Sequence, residues 1–159
     1  MDEHRIEVER EVLAYFFQLS NRLQVLLDQQ LKQDHLTAKQ LFMMIVVDSF
    51  ETAPGFSQIS ERFGTSRQNV KQLLLKLEKN RYVKIYTDQE DARYKRVQLT
   101  PKAKKYWKQR DQRDLFMLNN MFQNIRMQEM QKVQETLKKV DENIQVLSGE
   151  GRGSELHEN

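Results

Sequence analysis

The 159-residue chain has no cysteine, only two prolines and five glycines, and no long hydrophobic run. The missing cysteine excludes disulfides, thiolate zinc sites and cysteine-based redox sensing. The longest apolar run, Leu41 to Val47, has seven residues, whereas a membrane span needs roughly 18. The charged start, Met1-Asp-Glu-His-Arg5, lacks the apolar segment of a secretory signal, so we expect a cytoplasmic protein with no membrane partner.

Positive charge is concentrated in one part of the chain. Between residues 66 and 110 there are fourteen Lys or Arg side chains and four acidic ones, a net charge of +10. Because the whole chain carries +3, the remaining residues carry −7. One basic stretch on an otherwise acidic chain is typical of a protein that binds a polyanion, although a solvated lysine-rich surface is the alternative.

Apolar residues in alternating steps of three and four predict helices toward both ends of the chain. The first helix covers residues 8–31, with its apolar stripe from Val12 to Leu26. The second runs from Thr37, which forms a capping box with Gln40, to about Phe50. A third helical region, residues 102–147, contains neither Gly nor Pro. It needs a break near residues 126–128, since one helix of ~46 residues would be about 70 Å long. The tail, 149–159, holds three of the five glycines and is predicted to be disordered.

Residues 59–74 predict two short helices joined by a tight turn at Gly64, the pattern of a helix-turn-helix. Ser57 is the expected cap of the first helix, and Thr65 with Gln68 is the expected capping box of the second. The second helix then ends near Asn80, the expected left-handed C-cap. β-branched and aromatic residues predict paired strands at 82–87 and 95–99, after which Pro101 starts a helix.

The second helix of this motif has two chemically different faces. At 100° per residue, Val70, Leu73, Leu74 and Leu77 share a side that packs inward. Amides and cations that can pair with base edges or phosphates occupy the other side. They are Gln68, Asn69, Lys71, Gln72, Lys76 and Lys79.

Two further residues of this helix are harder to place. Arg67 lies nearer the packed side and is expected to contact the DNA backbone. Leu75 points outward, where it either touches a thymine methyl group or packs on another part of the fold. A solvated amphipathic helix is the alternative for the whole segment.

The chain resembles the MarR family of winged helix-turn-helix transcription regulators. The resemblance rests on Leu36-Thr-Ala-Lys-Gln-Leu-Phe42, on Ile59–Leu77, on Asp88-Gln-Glu-Asp-Ala-Arg93 and on Val97-Gln-Leu-Thr100. Asn80-Arg81 stands where the family usually has glycine before the first wing strand. The resemblance implies a mainly α (α+β) fold with a two-stranded β wing. Residues 36–100 would form the DNA-binding domain, and 1–35 with 101–148 a helical dimerisation region.

The family's function implies a homodimeric repressor on a pseudo-palindromic operator in double-stranded DNA. In the family the wing arginine, here Arg93, reaches into the minor groove, and the aspartate, here Asp91, holds the wing in shape. Together with the helix, this gives the predicted DNA-binding residues: Ser66, Arg67, Gln68, Asn69, Lys71, Gln72, Lys76, Arg93 and Lys95.

The resemblance also implies that a small aromatic or phenolic effector binds between the helices and releases the DNA. The candidate pocket residues are Tyr15, Phe16, Phe42, Met43, Trp107 and Phe116, although core packing is the commoner role for any single residue of this kind. Neither a metal nor a cofactor is expected, because the three histidines are scattered along the chain.

The sequence does not favour an enzyme, since it shows no Gly-rich phosphate loop, nucleophile–base pair or paired acids in an apolar setting. The alternatives that remain are a winged-helix module that binds DNA without sequence choice or binds protein, and a transcriptional activator.

Overall fold

The computed structural model describes residues 2–149 and is mainly helical. Six α-helices and two β-strands follow one another along the chain. They are α1 (Glu3–Leu31), α2 (Ala38–Asp48), α3 (Phe56–Phe63), α4 (Arg67–Lys79), β1 (Val83–Thr87), β2 (Lys95–Leu99), α5 (Pro101–Met121) and α6 (Met127–Ser148), with a 3₁₀ turn at Lys32–Asp34. The mainly helical α+β fold with a two-stranded wing, as predicted, is confirmed.

The chain divides into two compact units, Met1–Gln109 and Arg110–Asn159. The first contains α1 to α4, the sheet and the first part of α5, and the second contains the rest of α5 and α6. The narrower division predicted from the sequence, with residues 36–100 as the DNA-binding domain, stays a prediction.

The core of the first unit gathers around α2, which is apolar on most sides. Met43 and Met44 of α2 are completely buried, and Ile59, Leu74 and Val97 pack into the same cluster from α3, α4 and β2. Burial of such side chains stabilises a fold by roughly 1.5–3 kcal/mol each. The start of α2 is fixed by the predicted capping box, in which Thr37 Oγ1 accepts from the Gln40 amide and Gln40 Oε1 accepts from the Thr37 amide.

The helix-turn-helix forms where expected, but two of its caps differ from the prediction. Gly64 has φ +69° and ends α3 in the left-handed conformation. Gly55, not Ser57, precedes α3, and Gln58 Oε1 accepts from its backbone N–H at 2.9 Å. Ser66, not Thr65, is the N-cap of α4, because its hydroxyl is the one placed to accept from the Asn69 amide.

The C-terminus of α4 also differs from the prediction. Asn80 keeps φ −84°, and the left-handed residue is Arg81, with φ +61°. The Arg81 amide donates to Glu78 O and the Tyr82 amide to Leu77 O, which is the Schellman arrangement. Thr100 Oγ1 donates to Arg81 O at 2.7 Å, so the loop before the wing is tied to the start of α5.

The two strands pair antiparallel, with Ile85 opposite Val97 and Thr87 opposite Lys95. The segment before α3 pairs with β2. The Val97 amide donates to Pro54 O at 3.0 Å, and Gly55 forms an isolated antiparallel β-bridge with Arg96. The sheet is therefore attached to the loop that leads into α3.

In the second unit, α5 ends at Met121 and α6 begins at Met127, so the predicted break is confirmed and begins slightly earlier than 126–128. Arg126 and Glu129 cap α6 through a 2.9 Å bond from the Arg126 amide to the Glu129 carboxylate. The predicted disordered tail, apart from Gly149, lies outside the described residues. Among the helices of residues 2–149, none is both long and apolar enough to cross a membrane.

Candidate nucleic-acid interface

Helix α4 is held against the core by one face and presents the other to solvent. Val70, Leu74 and Leu77 are completely buried, and Leu73 is half-buried. The residues predicted to contact DNA from this helix are all exposed: Ser66, Arg67, Gln68, Asn69, Lys71, Gln72 and Lys76. The exposed face therefore combines amides, which can pair bidentately with adenine, and cations, which can bind guanine or phosphate.

Two of these predicted residues also shape the start of α4. Ser66 Oγ accepts from the Asn69 amide at 3.3 Å, and the Asn69 side chain donates to Thr65 Oγ1 at 3.1 Å. Arg67 was expected near the packed side, but the structure exposes it. Because the first turn of a recognition helix usually lies closest to the bases, the caps also set the orientation of the proposed contact residues.

The wing tip places a cation at its outer end. The Arg93 side chain is 84% exposed, and its Nη2 donates to Asp91 Oδ2 at 2.6 Å. Its Nε lies 2.9 Å from Asp91 Oδ1, which also accepts from the Arg93 amide at 3.0 Å. A guanidinium carries five donor hydrogens, so the two on Nη1 stay available for another acceptor. These bonds lower the pKa of Asp91 below its usual value, the side-chain bond from Arg93 contributing most.

A second ion pair, which was not predicted from the sequence, stabilises the wing loop. Asp88 pairs with Arg96 and also accepts from the Glu90 amide at 2.8 Å and the Asp91 amide at 3.2 Å. These bonds lower the pKa of Asp88, with the bond from Arg96 as the largest cause. The wing loop is thus built around a carboxylate that is ionised at neutral pH.

Arg96 reaches beyond the wing. Its Nη1 lies 3.4 Å from Ala53 O and 3.5 Å from Gln58 Oε1. Because Gln58 belongs to α3, this guanidinium connects the wing loop, the start of α3 and strand β2. The signal was present in the sequence as an arginine three residues after Arg93, but only the fold shows that the Pro54-Gly55 segment lies beside it.

Lys95, the last predicted DNA-binding residue, is exposed on β2. Its Nζ donates to Thr87 Oγ1 on the opposite strand at 2.6 Å. Lys95 therefore adds positive charge near the wing tip while it braces the pair of strands.

Solved structures with the same arrangement of elements belong to MarR-type regulators. A MarR protein from Peptoclostridium difficile has a TM-score of 0.78 and 18% identity, over 89% of this chain and 92% of its own. A MarR/EmrR family regulator from an Acinetobacter species has a TM-score of 0.76 and 18% identity, over 86% and 96%. S. aureus MepR in complex with DNA has a TM-score of 0.72 and 20% identity, over 82% and 94%. No protein-family model matches the sequence, and no curated protein matches it significantly.

The chain has the MarR winged-helix fold. Identities of this size establish the fold and nothing finer, and the MarR fold agrees with the order of elements predicted from residues 8–148.

The predicted effector residues lie in several parts of the MarR fold. Tyr15 is exposed and Phe16 half-buried on α1. On α2, Met43 is completely buried in the core, whereas Phe42 is half-exposed and lies 5.1 Å from the ring of Phe63. Phe116 belongs to the second unit and is exposed.

Trp107, the sixth candidate, lines an open pocket of about 350 Å³ with Ile45, Asp48 and Ser49. Its Nε1 is buried and has no hydrogen-bond acceptor within residues 2–149. An unpaired buried donor of this kind costs roughly 1–3 kcal/mol. Over the same residues, the structure has no cluster of three or more His, Asp or Glu that could hold a metal ion.

Proposed function

We propose that this protein is a sequence-specific, homodimeric DNA-binding regulator of the MarR family that represses transcription from a pseudo-palindromic operator. One observation carries the proposal: α4 exposes a face of amides and cations directly opposite its buried stripe, and the adjoining wing ends in the exposed Arg93. A helix with this face fits the major groove, and an arginine on a wing fits the narrower minor groove.

Charge supports the same conclusion. The exposed positive side chains of α4 and of the wing tip all belong to the basic stretch of the sequence. They are Arg67, Lys71, Lys76, Lys79, Arg93 and Lys95. Lysine and arginine that neutralise phosphates supply most of the affinity of a protein for DNA.

Uncovered apolar surface supports a homodimer. In the second unit, Phe122, Ile125, Met127, Val133 and Leu137 line an apolar groove of about 790 Å³. In the first unit, Val12, Leu19, Leu23 and Leu26 of α1 are exposed along one stripe. Stripes of this kind are stabilised by packing on a partner, and a symmetric dimer would give both a second copy to pack on.

The experiment is competition between operator and random duplex. Selection from a random pool supplies the operator, and a specificity ratio of roughly 10³ or more is expected from a regulator. A ratio near one would instead favour a module that binds DNA without sequence choice. A reporter gene downstream of the selected site distinguishes repression from activation.

We also propose that a small aromatic ligand with an acceptor oxygen, such as a phenol or benzoate, acts as effector through Trp107. The Nε1–H of Trp107, which meets no acceptor within residues 2–149, supports a ligand that brings one into the pocket beside the ring. Because Trp107 is the single tryptophan of the chain, titration with phenol and benzoate can be followed by intrinsic fluorescence. Because Trp107→Phe also removes the fluorophore, isothermal titration calorimetry compares the two proteins. Ligand binding that is lost in Trp107→Phe supports the proposal, and no binding up to millimolar ligand contradicts it.

A further inference from the structure

Leu75 differs from the other apolar side chains of α4. Val70, Leu74 and Leu77 are completely buried, whereas Leu75 is 48% exposed. It belongs neither to the buried core cluster nor to the partly buried side chains packed on it. Within residues 2–149, Leu75 is therefore not part of the core, which favours the other role open to it from sequence.

The position of Leu75 is more informative than its exposure, since single exposed leucines are common on protein surfaces. At 100° per residue, Leu75 lies about 20° from Gln68 and about 60° from Gln72 around the helix axis. It lies about 140° from the buried Val70. Leu75 is thus placed on the face that carries the exposed amides, between the cations Lys71 and Lys79.

The distance along the helix between Gln68 and Leu75 also fits contact with two different base pairs. From Gln68 to Leu75 the helix rises about 10 Å, which corresponds to roughly three base pairs of B-form DNA. A recognition helix whose first turn meets the bases at Gln68 would therefore bring Leu75 to the edge of a base pair further along the half-site.

The major groove offers one apolar group to such a side chain. Its base edges present hydrogen-bond donors and acceptors, and only thymine adds a methyl group, on C5. A leucine among amides and cations cannot satisfy a donor or an acceptor, but it can bury a methyl group.

We propose that Leu75 is a specificity-determining residue that contacts the C5-methyl group of one thymine in each operator half-site. This inference rests on the proposed function, because it requires α4 to lie in the major groove. The amides of α4 would then recognise base pairs of the half-site by hydrogen bonds, and Leu75 would recognise one base pair by apolar contact.

The test uses the full chain and the operator obtained by selection. Each thymine of the half-site is replaced in turn by deoxyuridine, which removes the methyl group and keeps the base pair. Fluorescence anisotropy then measures the dissociation constant. We expect one thymine at which deoxyuridine weakens binding about fourfold, the factor that corresponds to burial of one methyl-sized group. Replacement in both half-sites should weaken binding about sixteenfold.

Leu75→Ala links that effect to the side chain. This variant should bind the thymine operator more weakly and should bind the thymine and deoxyuridine operators equally. Lys79→Ala, one turn further along the same face, is the matched control. It should lower the affinity and the salt dependence but keep the fourfold preference for the methyl group.

Each other result contradicts the inference in a distinct way. If no thymine is sensitive, or if Leu75→Ala keeps the preference, Leu75 does not read a methyl group. If Leu75→Ala changes the sedimentation of the free protein, the residue belongs to an interface between copies. If selection returns no preferred sequence at all, the proposed sequence-specific function itself fails, and this outcome is separable from the other two.

Discussion

At the scale of single residues, the wing tip combines one exposed cation with one aspartate that orients it. Asp91 binds the Nε and Nη2 atoms of Arg93, which limits the rotamers of a long side chain before it meets DNA. Arginine held in this way loses less conformational entropy on binding than a free one. The wing is therefore expected to contribute through Arg93 more than through its other cations.

Arg93→Ala should weaken operator binding. It should also reduce the slope of the logarithm of the binding constant against the logarithm of salt concentration by about one per subunit, because each subunit loses one phosphate-neutralising charge. Binding isotherms at several salt concentrations measure both quantities. Lys132→Ala, which removes one charge from α6, is the control and should leave the slope unchanged. Equal slopes for Arg93→Ala and the unaltered protein would show that Arg93 on the wing does not contact the DNA.

Asp88 provides a residue-scale test of the wing's architecture. Its pKa is lowered chiefly by Arg96 and secondarily by the amides of Glu90 and Asp91. Since the folded pKa lies below the unfolded value of about 3.9, the ionised Asp88 stabilises the wing above that pH. This stabilisation is lost as the pH falls through the folded pKa.

Arg96→Gln should raise the pKa of Asp88 toward its unfolded value without reaching it, because the two amide bonds remain. Carboxyl-carbon NMR titration measures the shift. Asp91 is the internal control, since Arg93 is the largest cause of its lowered pKa. An unchanged Asp88 titration in Arg96→Gln would show that the pair contributes little to the wing.

At the scale of elements, the turns of the helix-turn-helix depend on backbone conformation more than on packing. Gly64 has φ +69°, and a Cβ added there would meet no atom within 4 Å. Gly55 has φ −85°, and its added Cβ would lie 3.6 Å from Lys95 O, an ordinary contact. A substitution at Gly64 therefore measures the free-energy cost of a left-handed backbone conformation. A substitution at Gly55 measures the cost of an added side-chain atom where the conformation is ordinary.

Gly64→Ala should lower the free energy of unfolding by about 1–2 kcal/mol, because a Cβ is disfavoured at positive φ. Gly55→Ala should lower it by less, about 0.5 kcal/mol, because alanine adopts this φ without strain but is a poorer N-cap residue than glycine. Urea denaturation followed by circular dichroism measures both. Equal losses in the two variants would contradict the conformational explanation.

Element types were predictable from sequence because each depends on local spacing. The α2 capping box, the Gly64 turn, the paired strands and the Pro101 helix start are all properties of neighbouring residues, and all are confirmed. The errors are small in sequence and also local. Gly55 rather than Ser57 precedes α3. At α4, Ser66 rather than Thr65 is the N-cap, and Arg81 rather than Asn80 takes the left-handed conformation. In both cases adjacent residues compete for one position, and the outcome depends on the exact end of the helix.

The candidate site was only partly predictable. The exposed face of α4 follows from helical periodicity, so its residues could be named in advance. The role of Arg96 could not, because it depends on segment 53–58 lying beside β2, about 40 residues away in sequence. The same holds for the unpaired Trp107 donor, since sequence does not show which acceptors surround a buried nitrogen.

At the scale of the whole molecule, the apolar surface on α6 and in its groove sets the expected oligomeric state. Leu137 lines the groove and is still half-exposed, and Val133 and Ile144 are exposed on the same helix. A stable interface between copies must cover such surface, since burial of apolar area is the main favourable term in association.

Leu137→Glu should shift the protein from dimer to monomer and lower operator affinity, because the two half-sites would no longer be bound together. Sedimentation equilibrium at micromolar concentration and operator titration measure the two effects. Lys139→Glu places the same carboxylate about 200° away around α6 and should leave the dimer intact. A Leu137→Glu protein that stays dimeric would move the interface to another surface.

The position of Arg96 has a consequence for any signal that reaches the DNA. Because one guanidinium bonds at once to Asp88, to Ala53 O and to Gln58, we expect the wing and the start of the helix-turn-helix to move together. If the proposed groove contacts are made, an inducer that alters the contact of the wing should also alter that of the helix-turn-helix. We expect each subunit either to keep both contacts with its half-site or to lose both of them together.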